Sequence, residues 1–392
     1  MEPIKRPNVH HAWQDWSEDQ TLHVVATYIN PFRYANRRKL FHDFVEHMRS
    51  TPNVRLHIVE VAFGDRPFEV TTAADIQLRS KDILWLKENA LNVGIQRLPV
   101  DWKYAAYVDG DFHFTRQDWA LEAIHQLQHH HWVQLYNSYV VMSEANVPLQ
   151  IRPSFSYAYH EYFGGTPQTH KTFVGVNGTP IAPTSQVSKQ LLSIPIKLAN
   201  PAVASYGQSS VLTNPTPSNT IVSTVDPKPT QVQLRNTTPG ATGGAWAFTR
   251  ESFDAVGGLL DTCILGASDW YMSFGLVGNT TDGHPEAVSC GKAYEDSIRR
   301  WQDRAFNSVQ GKIGYVKNFC THGWHGDLKN RGYSNRWMIL RDNNFDPLVD
   351  ITKDWQGLLK WTGNKPKLEA DVARYFINRN EDSTECTIKG LV

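Results

Sequence analysis

Between residues 23 and 108 three short β-prone runs alternate with two helical patterns, and that alternation leaves few architectures open. HVVATY (23–28) ends at the turn signal Asn30-Pro31. Residues 32–49 follow, with Phe41, Phe44, Val45 and Met48 at helical spacing. VRLHIVEV (54–61) is a second strand, stopped near Gly64-Asp65, and 81–91 reads as a second helix. YAAYV (104–108) is a third strand and runs directly into Asp109-Gly110-Asp111. Strand, helix, strand, helix, strand predicts a parallel sheet with crossover helices. Open sheets of this kind bind ligands at the carboxyl ends of their strands, so chemistry is expected in the turns that follow them.

The pattern continues with a helix over 116–128 and a strand over 133–142. Composition then shifts. Residues 164–239 are rich in Thr, Pro, Ser, Asn and Val, carry few charges and show no helical period, which reads as an insertion of loops and β-ribbons. Regular structure returns at Gly243, with helices expected over 250–256, 269–276 and 292–307, a strand over 313–319 and a basic helix over 329–341. The expected division is an N-terminal extension (1–19), a first catalytic half (20–163), the insertion (164–239), a second half (240–350) and a C-terminal cap or tail (351–392).

Lys+Arg and Asp+Glu are both 39. Zero formal net charge argues against broad non-specific nucleic-acid binding, which needs a positive surface. A local cluster at Arg33, Arg37, Arg38 and Lys39 stays open as a basic face or as a solvated helix face. None of Cys263, Cys290, Cys320 and Cys386 sits in a C-x-x-C pair, so neither a zinc knuckle nor a disulfide framework is expected. Residues 1–17 lack an apolar leader core and no run reaches the length of a membrane span. The expected location is cytoplasmic.

Three constellations can carry chemistry. Asp109 and Asp111, one residue apart at a strand terminus, can face one divalent cation, and oxygen ligands suit Mn²⁺ or Mg²⁺. Such an ion can bridge two phosphates of a nucleotide diphosphate. Gly243-Gly244-Ala245-Trp246-Ala247-Phe248 offers backbone that can approach a ligand closely, or a tight turn before a helix. Asp269, about twenty residues later, is either a helix N-cap or a general base. His322-Gly323-Trp324-His325-Gly326 offers neutral imidazoles as metal ligands, with Lys329, Arg331, Arg336 and Arg341 behind it as cations for phosphates.

Taken in order, these segments resemble the glycosyltransferase A fold. YVDGDF is similar to that family's D-x-D strand, GGAWAFTRESFDAVGGL to its acceptor-side segment, GASDW to its base segment, and HGWHGDLKNRGYSNRW to the metal-closing histidine and basic helix of a subset that includes phage-encoded enzymes. The resemblance spans roughly 20–160 and 240–350. It implies a Rossmann-like, mostly parallel central sheet flanked by helices. It also implies metal-dependent transfer of a sugar from a nucleotide-diphosphate donor, UDP being the family's commonest, to an acceptor hydroxyl. That hydroxyl would belong to a glycan or a hydroxymethylated DNA base. By resemblance Thr27 and Asn30 lie near the nucleotide, and Glu60 and Asp65 contact base or ribose. Asp109 touches ribose or metal, Asp111 the metal, and His325 or His322 completes the shell. Arg331 and Arg336 neutralise diphosphate, Gly243, Gly244 and Trp246 line the acceptor and sugar site, and Asp269 is the base of an inverting displacement. One departure stands out: many members carry two adjacent acidic residues at the base position, and here Ser268 precedes Asp269. Two other readings fit parts of the pattern, a non-catalytic nucleotide- or carbohydrate-binding protein on the same fold and a metal-dependent hydrolase.

Overall fold

The computed structural model describes residues 20–163, 240–278, 290–333 and 335–382. The expected N-terminal extension and the 164–239 insertion lie outside the described residues. In chain order the elements are β1 (Leu22–Ile29), α1 (Ala35–Ser50), β2 (Val54–Phe63), β3 (Ile76–Ser80), α2 (Lys87–Gln96), β4 (Tyr104–Val108) and β5 (Phe112–Phe114). Then come α3 (Trp119–Leu127), β6 (Trp132–Gln134), β7 (Ser138–Met142), β8 (Pro148–Pro153) and α4 (Phe155–Phe163). The second half supplies β9 (Ala245–Thr249), α5 (Arg250–Val256), α6 (Ser268–Leu276), α7 (Lys292–Val309), β10 (Ile313–Tyr315) and β11 (Phe319–His322). It closes with α8 (Trp337–Asp342), β12 (Ile351–Lys353), β13 (Leu359–Trp361) and α9 (Pro366–Ile377).

Seven strands form the main sheet in the order β10-β6-β9-β4-β1-β2-β3. Only β9 runs antiparallel to its neighbours, β4 and β6; the other pairings are parallel. The chain is therefore an α/β protein with a mostly parallel sheet flanked by helices. From β1 the order runs to β2 and β3 on one side and to β4 on the other, so a crevice opens at the carboxyl ends of β1 and β4.

Alternation along β1 explains the two-sided core. Leu22, Val24, Ala26 and Tyr28 pack with Phe41, Phe44 and Met48 of α1. Val25 faces the opposite layer with Val59 and with Ala90, Leu91 and Val93 of α2. Each fully buried side chain of this size contributes about 1.5–3 kcal/mol.

Four expectations change. Residues 81–91 do not form one helix: β3 precedes them, and α2 begins only at Lys87 because the Ser80 side chain closes a turn onto Asp82. The runs 133–142 and 313–319 each split in two, since β6 and β10 pair in the main sheet while β7 and β11 pair in a second sheet, ordered β5-β11-β7-β8. Both segments cross between sheets at the same level, joined there by Val316 N to Gln134 O and Asn137 N to Asn318 O. The basic helix over 329–341 is a 3₁₀ turn, Leu328–Arg331, and then α8, separated at Gly332 by a left-handed residue. Among the described residues no helix is long and apolar enough to cross a membrane.

Candidate functional site

The crevice holds a cavity of about 560 Å³, within the range of small-molecule sites. Its acidic floor is built by the end of β4. Asp109 N donates to Gly244 O, extending the β4–β9 pairing by one residue, and Phe112 N donates to Asp109 O, which turns the chain sharply. β5 then pairs antiparallel with β11, His322 opposite Phe112, and Gly323 N donates to Asp111 O at 2.8 Å. This register brings Asp111 against both histidines across about 210 residues of chain. His325 Nε2 lies 2.9 Å and His322 Nε2 3.6 Å from Asp111 Oδ2, and one ligand atom from each of the three lies within 4.8 Å of the others.

Two observations fit this trio to a cation. Asp111 Oδ1 and His322 Nδ1 are buried without a hydrogen-bond partner, which is costly unless something completes them. The protonation states are also those of ligands. Burial, with Arg331 adding to it, pushes His325 down to about 4, and burial lowers His322 as well. Burial alone would raise Asp111, but His322, His325 and Arg331 outweigh it and hold the carboxylate well below its usual range.

Asp109 stands apart from the trio and is ion-paired with Lys87, the first residue of α2. Burial opposes the Lys87 charge, but Asp109, Glu88 and Asp269 outweigh it and keep the ammonium above the ordinary lysine range. Glu88, fully inside the wall, takes a hydrogen bond from Trp85 Nε1 at 2.7 Å. Burial pushes it up to about 7, Lys87 pulling against and Asp269 adding to the rise.

Asp269 opens α6 and lines the cleft. A Cβ on Gly243 would lie 2.5 Å from Asp269 Oδ2, so the absence of a side chain there is what lets the carboxylate reach the cavity. Arg331 places Nη2 2.9 Å from His325 Nε2. Arg336 is buried over the Trp337 ring at 4.6 Å and the Tyr333 ring at 5.1 Å, with its Nε unpartnered. Thr27, Gly243 and Gly244 also line the cavity.

Four residues assigned by resemblance stand elsewhere. Trp246 is buried in the core and donates Nε1 to Thr242 O; it supports the glycine segment from behind instead of lining the cavity. Glu60 is buried and its carboxylate is fully engaged by Glu69 N, Val70 N, Thr71 N and Thr71 Oγ1, so it folds the 69–71 loop. Asn30 is likewise used internally, bonding Tyr34 N, Tyr34 O and the Tyr28 hydroxyl. Asp65 is exposed on the turn after β2, outside the cavity wall.

The sequence left Lys87, Glu88, Arg152, Arg379 and Glu381 unremarked, and all five line the cleft, as does Arg37 of the basic cluster at 33–39. Lys87 and Glu88 had a findable signal, since they open the helix that follows a strand. Arg379 and Glu381 had none, because the tail folds back from α9.

No protein-family model matches the chain, and no curated protein matches it. Among solved structures, it is similar to a Desulfovibrio desulfuricans G20 protein provisionally assigned as a nucleotide-diphospho-sugar transferase, at 12% identity and a TM-score of 0.21. The match covers 33% of this chain and 62% of that one.

Proposed function

We propose that the chain is a metal-dependent glycosyltransferase that moves a sugar from a nucleotide-diphosphate donor, UDP-sugar first among candidates, to an acceptor hydroxyl on a glycan or a hydroxymethylated base. The observation that carries this reading is the meeting, in one cleft at the carboxyl ends of β1 and β4, of the Asp111–His322–His325 trio with Arg331 and Arg336, neither of which forms a direct ion pair with a carboxylate among the described residues. A diphosphate is the ligand that needs a cation and bidentate arginines together.

Asp111, His322 and His325 would hold Mn²⁺ or Mg²⁺, and the two imidazole nitrogens favour Mn²⁺, the less oxygen-restricted of the two. When bound, the ion supplies charge neutralisation on the departing diphosphate. Arg331 and Arg336 add fixed positive charge to the same group, a preorganised term that needs no reorganisation during the reaction. Lys87 opposes the burial that pushes the Asp109 carboxyl up and orients it at the floor. Asp269 takes the proton from the acceptor hydroxyl as its oxygen bonds to the anomeric carbon and the bond from that carbon to phosphate breaks; attack from the face opposite the leaving group inverts the centre. Trp270 and Tyr333, which line the cleft and are not buried, offer faces on which a sugar ring or a base can stack.

The hydrolase reading draws less support, since a binuclear centre needs a second ligand cluster and the described residues hold one such group. Asp269→Asn tests the role that separates an enzyme from a binding protein. Transfer, followed by release of the nucleoside diphosphate, should fall about 10²–10⁴-fold with donor affinity unchanged. Full activity in that variant would remove Asp269 as the base.

A further inference from the structure

Glu381 lies behind His325, on the side away from Asp111. It is 3% exposed, and its Oε2 is 4.0 Å from His325 Nδ1 while His325 Nε2 faces Asp111 at 2.9 Å. The imidazole thus has a carboxylate at each nitrogen. Arg331 also reaches both nitrogens, but a guanidinium has no acceptor and cannot receive a ring N–H. A carboxylate can. At 4.0 Å Glu381 is an electrostatic neighbour and not a hydrogen-bond partner; once a cation takes up Asp111, the nearer carboxylate at 2.9 Å from Nε2, the charge of Glu381 favours the Nδ1–H tautomer and leaves the Nε2 lone pair for the ion.

The carboxylate is itself held in place. Arg37 Nε donates to Oε2 at 2.7 Å, and Arg379 Nη2 lies 2.9 Å from Oε1. Arg379 stacks over the Trp85 ring at 5.3 Å. The next residue, Asp382, accepts the Ala35 and Asn36 amides that open α1. Gly326, one residue beyond His325, has a left-handed backbone, and a Cβ there would meet Asn380 O and Glu381 Cα at 2.9 Å. The C-terminal segment and the histidine loop are therefore seated directly on one another.

We propose that Glu381 is a positioning residue of the metal centre: it sets the tautomer and ring orientation of His325, so that the C-terminal segment completes a site whose ligands lie more than fifty residues upstream. Outer carboxylates of this kind typically govern metal affinity by about 10–100-fold. The inference rests on the metal-site reading above.

The experiment uses the full chain and Mn²⁺ alone, with free ion counted by electron paramagnetic resonance and the metal-free Tm measured alongside. Glu381→Gln is expected to weaken Mn²⁺ by about 10–100-fold, and Glu381→Asp, which keeps the charge, to restore most of that loss. Asp382→Ala, which removes both acceptors for the amides that open α1, should lower the metal-free Tm and leave the Mn²⁺ Kd unchanged. If Asp111→Ala abolishes binding while Glu381→Gln keeps the wild-type Kd, Glu381 is merely structural and the inference is overturned, with the metal site intact. If Asp111→Ala leaves binding unchanged, the metal-site reading itself fails. Should Glu381→Gln not fold, nitrogen-15 spectra of the wild-type protein loaded with diamagnetic Cd²⁺ decide the matter. His325 bound through Nε2 with Nδ1 protonated supports the assignment, and binding through Nδ1 overturns it.

Discussion

Lys87 is surrounded by Asp109, Glu88 and Asp269, and replacing it with methionine isolates its effect from packing. The side chains of Lys87 and Asp109 are 17% and 28% exposed, so the pair is sheltered without being sealed. Removing one partner of a fully buried pair costs about 3–5 kcal/mol because the other charge is stranded. Residual water in the cleft screens part of that, which places Lys87→Met at about 2–3 kcal/mol. A chain of this length shifts its Tm by about 1.5 °C per kcal/mol, so the expected fall is about 3–5 °C at neutral pH. The decisive comparison is a double-mutant cycle followed by thermal and urea unfolding with tryptophan fluorescence. In an Asp109→Asn background no charge is stranded at the floor, and Lys87→Met should cost at least about 1 kcal/mol less. If the two substitutions add, or if Lys87→Met alone is neutral, the ion pair does not organise the cleft floor and the reasoning is refuted.

Two further perturbations follow, one in the cleft wall and one in the core behind it. Glu88 binds its proton in the folded chain up to about pH 7, against an ordinary value of 4.5. A carboxyl raised in this sense stabilises the fold at low pH and loses that contribution as pH rises through 7. Glu88→Gln should therefore raise Tm at pH 8 and leave it nearly unchanged at pH 4, a difference that scanning fluorimetry across pH resolves; an equal effect at both would show that Glu88 is not buried as a neutral acid. Trp246→Phe removes the bond to Thr242 O and part of a packed ring, costing about 1–3 kcal/mol. Because the ring faces the core, its metal-dependent response to nucleotide should persist, and loss of that response at unchanged stability would return Trp246 to the ligand-binding surface.

The sequence was most readable where local pattern and burial agree. YAAYV and RESFDAV occupy β4 and α5 residue for residue, because one is buried on both faces and the other starts at a Thr249 cap and ends at a left-handed Gly257. Asp111, His322, His325, Asp269 and Arg331 were also visible as residue types at turns, and the fold gathers all five in one cleft. The reach from Asp111 to the histidines depends on the β5–β11 pairing, and β5 is only three residues long, too short for a periodic signal. The split of 133–142 was hidden for a related reason: the run is mostly apolar, its polar residues Gln134 and Ser138 are buried and Asn137 half-buried, and hydrophobicity does not say that Leu135-Tyr136-Asn137 carries the chain from one sheet to another. Glu60 and Asn30 misled in the opposite direction. Both sit at strand ends where ligands bind, yet each spends its hydrogen bonds on the backbone of the adjoining loop. Glu381 was illegible because its meaning comes entirely from tertiary contact with Arg37, Arg379 and His325.

The most direct test of the central claim is a thermal-shift panel of nucleoside diphosphates and nucleotide sugars, each with and without Mn²⁺ or Mg²⁺, on the wild-type chain and on Asp111→Ala. Ligand at about 100 times its Kd stabilises the native state by about 2.7 kcal/mol, or about 4 °C here. One nucleotide should give this shift only when metal is present, and Asp111→Ala should abolish it. A panel in which no nucleotide shifts the protein with any metal, or in which the shift survives Asp111→Ala undiminished, contradicts the account.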